Sequence, residues 1–336
     1  MNLRFIASMK KILIKQTASI GDVILATPLL ENLHQTFPEA AIDMVLKKGN
    51  ESLFRAHPFL GKLYIWDKSE HKLRNLYNIL KQVQHERYDL VVNVQRFFLT
   101  GLLTAFSRAG HTVGFSKNPF SLFFGRRVKH LIGSGMHETS RNLMLISHLT
   151  DQHRERPMLY PSVQDDARTS QYKTHRYICV APASLWHTKQ YPAEKWIEFL
   201  GSVPGDIYVY FLGSDADWAL CDEIIAGSGL PHTLNLAGKL SLLETASLQR
   251  DAAMNFVNDS APMHLASSVN APVTAVFCST IPKFGFGPLS ENSYIVETDR
   301  QLSCRPCGLH GRKECPEGHF DCAMTIDVER LLERIK

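Results

Sequence analysis

Short apolar runs and longer amphipathic segments alternate along the chain in two successive series. A continuous apolar run of about five residues is typical of a strand buried on both faces, whereas apolar residues at positions 24, 25, 29, 30 and 33 follow helical spacing. The first series predicts strands at 11–15, 41–46, 62–66 and 90–94 and helices at 23–37, 51–56, 72–85 and 139–150. The second predicts strands at 177–181, 207–212, 233–236, 254–257 and 273–277 and helices at 193–200, 216–226, 242–249, 260–268 and 327–335. Such alternation indicates βαβ units and a parallel sheet in each half.

The two series suggest two α/β domains joined by a polar segment that contains Pro157 and Pro161. We expect an N-terminal domain over residues 1–160, a linker over 161–175 and a C-terminal domain over 176–336. A length of 336 residues fits this division, since a domain averages roughly 150 residues. Met9 is an alternative start, which would make residues 1–8 a dispensable extension.

Composition narrows the class of protein. The chain has 37 Lys and Arg against 33 Asp and Glu, a formal charge of +4, which is weak for a protein that binds nucleic acid. No secretory signal precedes the first strand, and the longest uncharged stretch, at 97–107, is too short to cross a bilayer. We therefore expect a cytoplasmic protein with no nucleic-acid partner.

Residues 96–131 interleave phenylalanines with cations. This pattern suits contact with an anionic glycolipid or with a membrane surface. It is equally compatible with a core stripe flanked by solvated charges.

Two motifs follow predicted strands, where open α/β sheets bind their ligands. Ser19-Ile-Gly21-Asp22 follows the first strand, and Asp22 there either faces a ligand or stabilises a helix start. Asn258-Asp-Ser-Ala-Pro-Met-His264 follows a later strand, and the turn at Ser260 offers backbone N–H groups to an anion such as phosphate. A purely structural interpretation of that second motif is a capped helix with a structural histidine.

The loop after the first strand of the second half carries Ser184 and Lys189. A hydroxyl and an ammonium group can hold a pyrophosphate by a hydrogen bond and a point charge. A loop lysine taken alone is more often simply solvated.

Four cysteines lie close together near the C-terminus, namely Cys304, Cys307, Cys315 and Cys322. Four thiolates satisfy tetrahedral zinc, although these spacings match no common zinc finger. A structural zinc ion and free or pairwise oxidised thiols remain alternatives, and we expect no catalytic metal.

Taken together, the three loop motifs make the chain resemble the ADP-heptose:lipopolysaccharide heptosyltransferases, glycosyltransferase family 9. Supporting segments are residues 11–28, Asn235-Leu-Ala-Gly-Lys239 with Ser241-Leu-Leu-Glu244, and 259–266. The resemblance implies a GT-B fold, in which two Rossmann-like domains face a central cleft. It also implies an inverting, metal-independent transfer of heptose from ADP-heptose to a lipid-linked lipopolysaccharide core acceptor, with peripheral membrane contact.

The resemblance also assigns roles to residues. Asp22 matches the general base, with Ser19 and Gly21 on the acceptor side. The donor side comprises Ser184, Lys189, Asp217, Leu240, Asp259, Ser260, Ala261 and His264. Leu240 lies near the adenine position, and Asp217 stands where many relatives carry a Glu that holds the ribose.

Three alternatives stay open at this stage. They are a GT-B transferase that uses another nucleotide sugar, a non-catalytic nucleotide-sugar-binding protein, and an NAD-dependent oxidoreductase. The oxidoreductase is disfavoured because neither half shows G-x-G-x-x-G at its first strand–helix turn.

Overall fold

Buried apolar runs form the strands of two parallel sheets in the computed structural model, which describes residues 9–151 and 153–335. The chain divides into two units, with the boundary between Tyr160 and Pro161, and the short stretch Gly133–Gly135 belongs to the second unit. Residues 1–8, the expected extension before Met9, lie outside the described residues.

The first unit contains one six-stranded sheet. Its strands are β1 (Lys11–Lys15), β2 (Ala41–Lys47), β3 (Leu60–Trp66), β4 (Leu90–Asn93), β5 (His111–Phe115) and β6 (Arg126–Val128). Its helices are α1 (Ile20–Ile24), α2 (Thr27–Thr36), α3 (Lys72–Glu86), α4 (Phe98–Ala105) and α5 (Glu138–Leu143), with 3-10 turns at Glu51–Phe54 and Ser121–Phe123.

The second unit repeats this plan. Its strands are β7 (Tyr177–Ala181), β8 (Tyr208–Phe211), β9 (Thr233–Asn235), β10 (Met254–Asn258), β11 (Val273–Phe277) and β12 (Ser293–Glu297). Its helices are α6 (Val163–Thr169), α7 (Ala193–Leu200), α8 (Trp218–Ser228), α9 (Leu242–Arg250), α10 (Ala261–Ser268), α11 (Asp321–Met324) and α12 (Glu329–Leu332). Four 3-10 turns complete it, at Ser170–Tyr172, His187–Lys189, Asp215–Asp217 and Pro282–Phe284.

Both sheets have the same strand order. The first runs β3-β2-β1-β4-β5-β6 and the second β12-β11-β10-β7-β8-β9, which is the same order seen from the other edge, and every strand pair is parallel. This is the Rossmann order, in which the order of the strands reverses between the first and fourth strands. The predicted α/β class with parallel sheets is therefore confirmed in each half.

Alternate residues of the central strands lie on opposite faces of the sheet. In β7, Ile178 and Val180 join one apolar cluster with Trp196, while Tyr177 and Cys179 join the cluster on the opposite face. Both faces are covered, so the strand appears in the sequence as an uninterrupted apolar run.

The predicted helix over 23–37 is divided by Pro28. Proline has no N–H to donate to the carbonyl of Ile24, four residues earlier. The hydroxyl of Thr27 donates to that carbonyl instead, at 2.8 Å, so α1 ends at Ile24 and α2 begins at Thr27.

The polar segment expected as a linker contains helix α6. Ser162 caps it, with the Asp165 carboxylate accepting from the Ser162 amide at 2.7 Å. Arg250 of α9 donates to Asp166 at 2.7 Å. Polar residues in this segment therefore hold α6 against the second unit.

No helix in the described part of the chain is long and apolar enough to cross a membrane.

Candidate functional site

The loops after β7 and β10 meet in the second unit at the point where the strand order reverses. β7 and β10 are neighbours in the sheet, and ligands of open α/β sheets bind beyond the carboxyl ends of such strands. Ser184 and Lys189 lie in the first loop, and Asp259, Ser260 and Ala261 in the second. Topology thus brings together two motifs about 70 residues apart along the sequence.

Asn258, the last residue of β10, joins the two ends of the first loop. Its side-chain amide donates to the carbonyl of Pro182 at 2.6 Å, and its side-chain oxygen accepts from the amide of Tyr191 at 2.9 Å. Gln190 donates to the carbonyl of Ser184 at 2.6 Å and closes the loop from within. Asn258 is fully buried, so its two bonds hold the loop in a single shape.

Lys189 and Asp259 form an ion pair, with 2.7 Å between Nζ and Oδ2. The side chains are 15% and 7% exposed respectively, so the charges are largely shielded from water. The Thr280 hydroxyl, just after β11, donates to the same carboxylate oxygen at 2.7 Å. The pairing fixes the ammonium group of Lys189 beside the start of α10.

The start of α10 presents backbone donors. Ser260 is the N-cap residue, and Pro262 stands in the first turn. Among the described residues, none accepts a hydrogen bond from the N–H of Ser260 or Ala261. His264 lies one turn further along the helix and is buried. Free N–H groups beside an ammonium group make this end of the sheet suited to an anion such as a phosphate.

Asp217 and Leu240 follow the neighbouring strands β8 and β9. The Asp217 carboxylate accepts from the amide and hydroxyl of Ser214, at 2.7 and 2.8 Å. Leu240 is half-buried against the core of the sheet. The two loops approach closely at Gly238, where φ is +72° and a Cβ atom would lie 1.7 Å from an Asp215 oxygen. Only glycine fits at this position.

Asp22 lies in the first unit, in the loop and short helix after β1, with Ser19 and Gly21. Its Oδ2 accepts from the amide and the hydroxyl of Ser19, at 3.2 and 2.5 Å. Within the described part of the chain, no hydrogen bond reaches its Oδ1. Asp22 therefore stabilises the start of α1 with one oxygen and keeps the other available.

Sequence reasoning missed the residues that hold the loop after β1. Lys68 donates to the carbonyl of Thr17 at 2.6 Å, and Asn50 to that of Ala18 at 3.0 Å. Burial, together with Lys47 and Lys72, lowers the pKa of Lys68 to about 8. Asn50 and Lys68 lie in the loops after β2 and β3, far along the chain from this loop, so no local pattern marks them.

The four C-terminal cysteines do not support the structural zinc ion, one of the two alternatives that their spacing left open. Across residues 9–151 and 153–335, no group of three or more His, Cys, Asp or Glu side chains is arranged to hold a metal. Cys307 donates to the carbonyl of Cys304 at 3.4 Å. Burial and the neighbouring thiols raise the pKa of Cys322 to about 12. Four cysteines close together suggested a metal site, but the fold leaves Cys304, Cys307, Cys315 and Cys322 as free thiols.

The same C-terminal segment supports the Lys189 loop, which the sequence did not indicate. The amide of Arg312 donates to the Thr188 hydroxyl at 2.8 Å, and the Thr188 amide donates to the Arg312 carbonyl at 3.1 Å. A Cβ atom on Gly311 would lie 2.9 Å from Cγ of Lys189. We call residues 301–322 the C-terminal arm.

Arg305 attaches the arm to the sheet. Its guanidinium donates to the carbonyls of Cys278, Phe277 and Thr280, at 2.7, 3.1 and 2.7 Å, and to the Glu297 carboxylate at 2.6 Å. The arm is therefore fixed at the carboxyl end of β11, next to Lys189.

The family model of glycosyltransferase family 9 (heptosyltransferase) matches residues 76–319, more than half of the chain. Lipopolysaccharide heptosyltransferase 3 of Escherichia coli (strain K12) is 28% identical over 295 residues, which cover 81% of this chain and 83% of that protein.

Solved structures show the same fold. The glycosyl transferase family 9 structure from Veillonella parvula DSM 2008 has a TM-score of 0.83 at 20% identity, covering 98% of this chain and 96% of that one. The E. coli heptosyltransferase WaaC with ADP-2-deoxy-2-fluoro heptose has a TM-score of 0.70 at 20% identity, covering 97% and 100%. The expected GT-B fold class, with two Rossmann-like domains, is confirmed. With its family model matched over most of its length, the chain belongs to glycosyltransferase family 9 and is a glycosyltransferase.

Proposed function

We propose that this enzyme transfers heptose from ADP-heptose to a lipopolysaccharide core acceptor, with inversion at the sugar carbon. The observation that carries the proposal is the Lys189 ammonium group, held 2.7 Å from Asp259 beside the free N–H groups of Ser260 and Ala261. Its curated relatives are named lipopolysaccharide heptosyltransferases, and the neighbouring WaaC structure holds an ADP-heptose analogue.

The donor diphosphate is assigned to Lys189 and the start of α10. The ammonium group and the N–H groups of Ser260 and Ala261 would stabilise the negative charge that grows on the diphosphate as its bond to the sugar breaks. Ser184 would add a hydroxyl from the same loop, and His264 would support the helix from behind. In this mechanism, protein groups stabilise the charge on the diphosphate, so the transfer requires no metal.

The nucleoside is assigned to the loops after β8 and β9. Asp217 would accept from the ribose hydroxyls, and Leu240 would contact the adenine. Asp217 already accepts two hydrogen bonds from Ser214 on a single oxygen, so its other oxygen is the one that would serve the ribose.

Asp22 is proposed as the general base, with Ser19 and Gly21 shaping the acceptor side. Oδ1 would take the proton of the acceptor hydroxyl while that oxygen forms a bond to the anomeric carbon. The bond from this carbon to the diphosphate breaks, and ADP leaves with the electron pair. Ser19 orients the carboxylate through Oδ2.

We propose that residues 1–160 bind the acceptor and that residues 176–336 bind the donor. Because the proposed acceptor carries a lipid, we place the enzyme's action at the cytosolic face of the membrane that holds this lipid.

Replacement of the proposed base tests the mechanism. Asp22→Asn should lower the transfer rate by about 10²- to 10⁴-fold, the usual contribution of a general base, because an amide cannot take the proton. Transfer is measured as ADP release, and ADP affinity by calorimetry. ADP affinity should stay unchanged, since the nucleotide is assigned to the other unit.

Normal transfer by Asp22→Asn would remove Asp22 from the chemistry. Equal loss of transfer and of ADP affinity would show instead that the substitution damages the protein as a whole. A thermal-shift screen with ADP, UDP, GDP and their sugars tests the donor, because a ligand that binds the folded state raises the melting temperature. Selective stabilisation by UDP or GDP compounds would replace ADP-heptose as the donor.

A further inference from the structure

The stretch from residue 95 to residue 131 in the first unit contains six Lys and Arg residues and no Asp or Glu. The whole chain has 37 basic and 33 acidic residues, so this stretch departs strongly from the average. The six are Arg96, Arg108, Lys117, Arg126, Arg127 and Lys129. Among the described residues, none supplies a carboxylate partner to any of them, and all but Arg96 are exposed.

Large apolar side chains project from the same stretch. Leu122 is 79% exposed and Phe123 68%, and Phe97, Phe98, Phe106 and Leu131 are also exposed. Soluble proteins rarely gather so many large apolar side chains on one surface without a partner.

Aromatic contacts join part of this surface into one cluster. The ring of Phe120 lies 4.9 Å from Phe98, 6.3 Å from Phe106 and 6.0 Å from Phe123 between centroids. We call Phe98, Phe106, Phe120, Leu122 and Phe123 the aromatic face. It brings helix α4 together with the 3-10 turn at Ser121–Phe123.

Buried polar contacts hold the aromatic face in place. Asn118 donates to the carbonyls of Gln95 and Phe97, at 3.1 and 3.0 Å. Gly101 of α4 lies so close that a Cβ atom would be 1.9 Å from Oδ1 of Asn118. The fully buried Lys15 of β1 donates to Thr104 of α4 at 2.6 Å and to the Thr100 carbonyl. The face is therefore an ordered surface with its own support.

The aromatic face begins beside the loop that carries Asp22. Helix α4 follows β4, and β4 pairs with β1. The hydroxyl of Thr17, in the loop after β1, donates to the side chain of Gln95 at 2.7 Å. Phe98, at the start of α4, therefore lies at the same end of the sheet as the loop that carries the proposed base.

We propose that the aromatic face and its cations form a docking surface for an anionic lipid bilayer. Exposed Phe and Leu side chains insert into the interfacial region of a bilayer, while Lys and Arg attract anionic headgroups. The total absence of carboxylates between residues 95 and 131 favours this occupant over a second copy of the chain, whose opposing face would carry the same positive charge. The proposal rests on the proposed function, since docking would bring Asp22 to a lipid-linked acceptor.

Vesicle cosedimentation of the full chain tests the proposal. The probes are vesicles of phosphatidylcholine alone and vesicles with about 30% phosphatidylglycerol. The protein should bind the anionic vesicles at least about tenfold more tightly than the neutral ones, and binding should weaken as salt rises from about 0.1 M to about 0.5 M.

Two double variants separate the apolar and the charged contributions. Leu122→Ser with Phe123→Ser should lower binding to anionic vesicles about tenfold or more, and Arg126→Glu with Arg127→Glu should do the same. All four side chains are exposed, so folding should survive, which circular dichroism checks. Leu73→Ser is the matched apolar control, because Leu73 is 66% exposed on α3 of the same unit. Lys72→Glu with Arg74→Glu is the charge control, and both controls should bind like the wild type.

Three results would overturn the proposal. They are no binding of the wild type to anionic vesicles, equal binding by the face variants, and a dimer in sedimentation velocity that the Leu122→Ser/Phe123→Ser variant converts to a monomer. Release of ADP from ADP-heptose with a water-soluble, deacylated acceptor is measured separately, and the face variants should retain it. Vesicle binding without any such ADP release would refute the proposed function and leave the docking surface standing.

Discussion

Lys189 and Asp259 neutralise each other in a place that is largely shielded from water. Removal of one member of a buried pair leaves the other uncompensated, which costs about 3–5 kcal/mol in stability. A simple alanine substitution at Lys189 therefore mixes an effect on ligand binding with an effect on folding, and the two have to be separated.

Lys189→Ala should weaken ADP binding by about 10- to 100-fold, because a charge-assisted hydrogen bond contributes about 1.5–3 kcal/mol. The double variant Lys189→Ala/Asp259→Asn should regain much of the lost stability, since no unpaired charge remains, but it should not regain ADP affinity. Calorimetric titration and thermal unfolding measure the two effects.

Lys195→Ala serves as the control for Lys189. Lys195 pairs with Glu198 on the surface of α7 at 2.6 Å, and such pairs contribute little. Unchanged ADP affinity in Lys189→Ala would remove this lysine from the proposed donor site.

At the scale of elements, the C-terminal arm contacts the loop that carries Lys189, and the sequence does not reveal these contacts. Gly311 has φ of +75° and would place a Cβ atom 3.0 Å from Oγ1 of Thr188 as well as close to Lys189. Gly308 has nearly the same φ, +74°, but a Cβ atom there would meet nothing within 4 Å. These two glycines separate backbone strain from contact with the loop.

Gly311→Ala and Gly308→Ala should each destabilise the protein by about 1–2 kcal/mol, because both force an L-residue into the left-handed region. Only Gly311→Ala should also weaken ADP binding, several-fold, because its methyl group displaces Lys189. Titration of both variants with ADP checks this. Similar ADP affinity in the two variants would show that the arm does not position the lysine.

The sequence predicted best the strands that are buried on both faces. The central strands β1, β7, β10 and β11 are covered on both faces, so each is a mainly apolar run. Within residues 96–131, where the sequence predicted no element, α4, β5 and β6 escaped prediction because exposed cations and phenylalanines interrupt the pattern. The predicted helix over 139–150 stops at Leu143 and continues as turns.

Candidate site residues were predictable where a loop follows a strand. Parallel topology alone places the Lys189 loop beside Asp259. Other contacts join residues 51 or more positions apart: the clamp by Asn258, the arm at Gly311 and the support of Thr17 by Lys68. Local periodicity carries no information about such pairs. The four cysteines show the opposite failure, because a suggestive spacing does not fix the geometry of the thiols.

For the whole molecule, the division into two units means that unfolding need not be a single transition. We expect His57 to make the stability of the first unit sensitive to acid. Its side chain is 1% exposed and lies among the rings of Phe54, Phe59 and Tyr160. Burial and the nearby His34 lower its pKa from 6.5 to about 4.

The folded first unit therefore favours neutral His57. Its contribution to stability is complete above about pH 6.5 and is lost as the pH falls towards 4, by up to about 3 kcal/mol. Burial raises the pKa of Glu31, whose Oε1 lies 3.9 Å from Nε2 of His57. Protonation of Glu31 as the pH falls therefore favours the folded state, opposite to the effect of His57. The comparison of variants at each pH isolates the contribution of His57.

His57→Phe should lose less stability than the wild type between pH 6.5 and 4. Thermal unfolding with and without ADP checks this, because ADP should shift the transition of the second unit and so identify that of the first. His85→Gln, at an exposed site on α3, is the control. Parallel stability curves for wild type and His57→Phe would contradict the assignment.

The buried Lys15 beneath α4 has a consequence for chemical reactivity. Burial lowers the pKa of its amine well below the usual range, which favours the unprotonated, nucleophilic form that acylating reagents attack. Its side chain is enclosed between β1 and α4, so no reagent reaches it in the closed structure. Acetylation of Lys15 would therefore proceed only as fast as α4 separates from the sheet. Its rate, followed by peptide mass spectrometry, would measure the opening rate of the helix that carries Phe98.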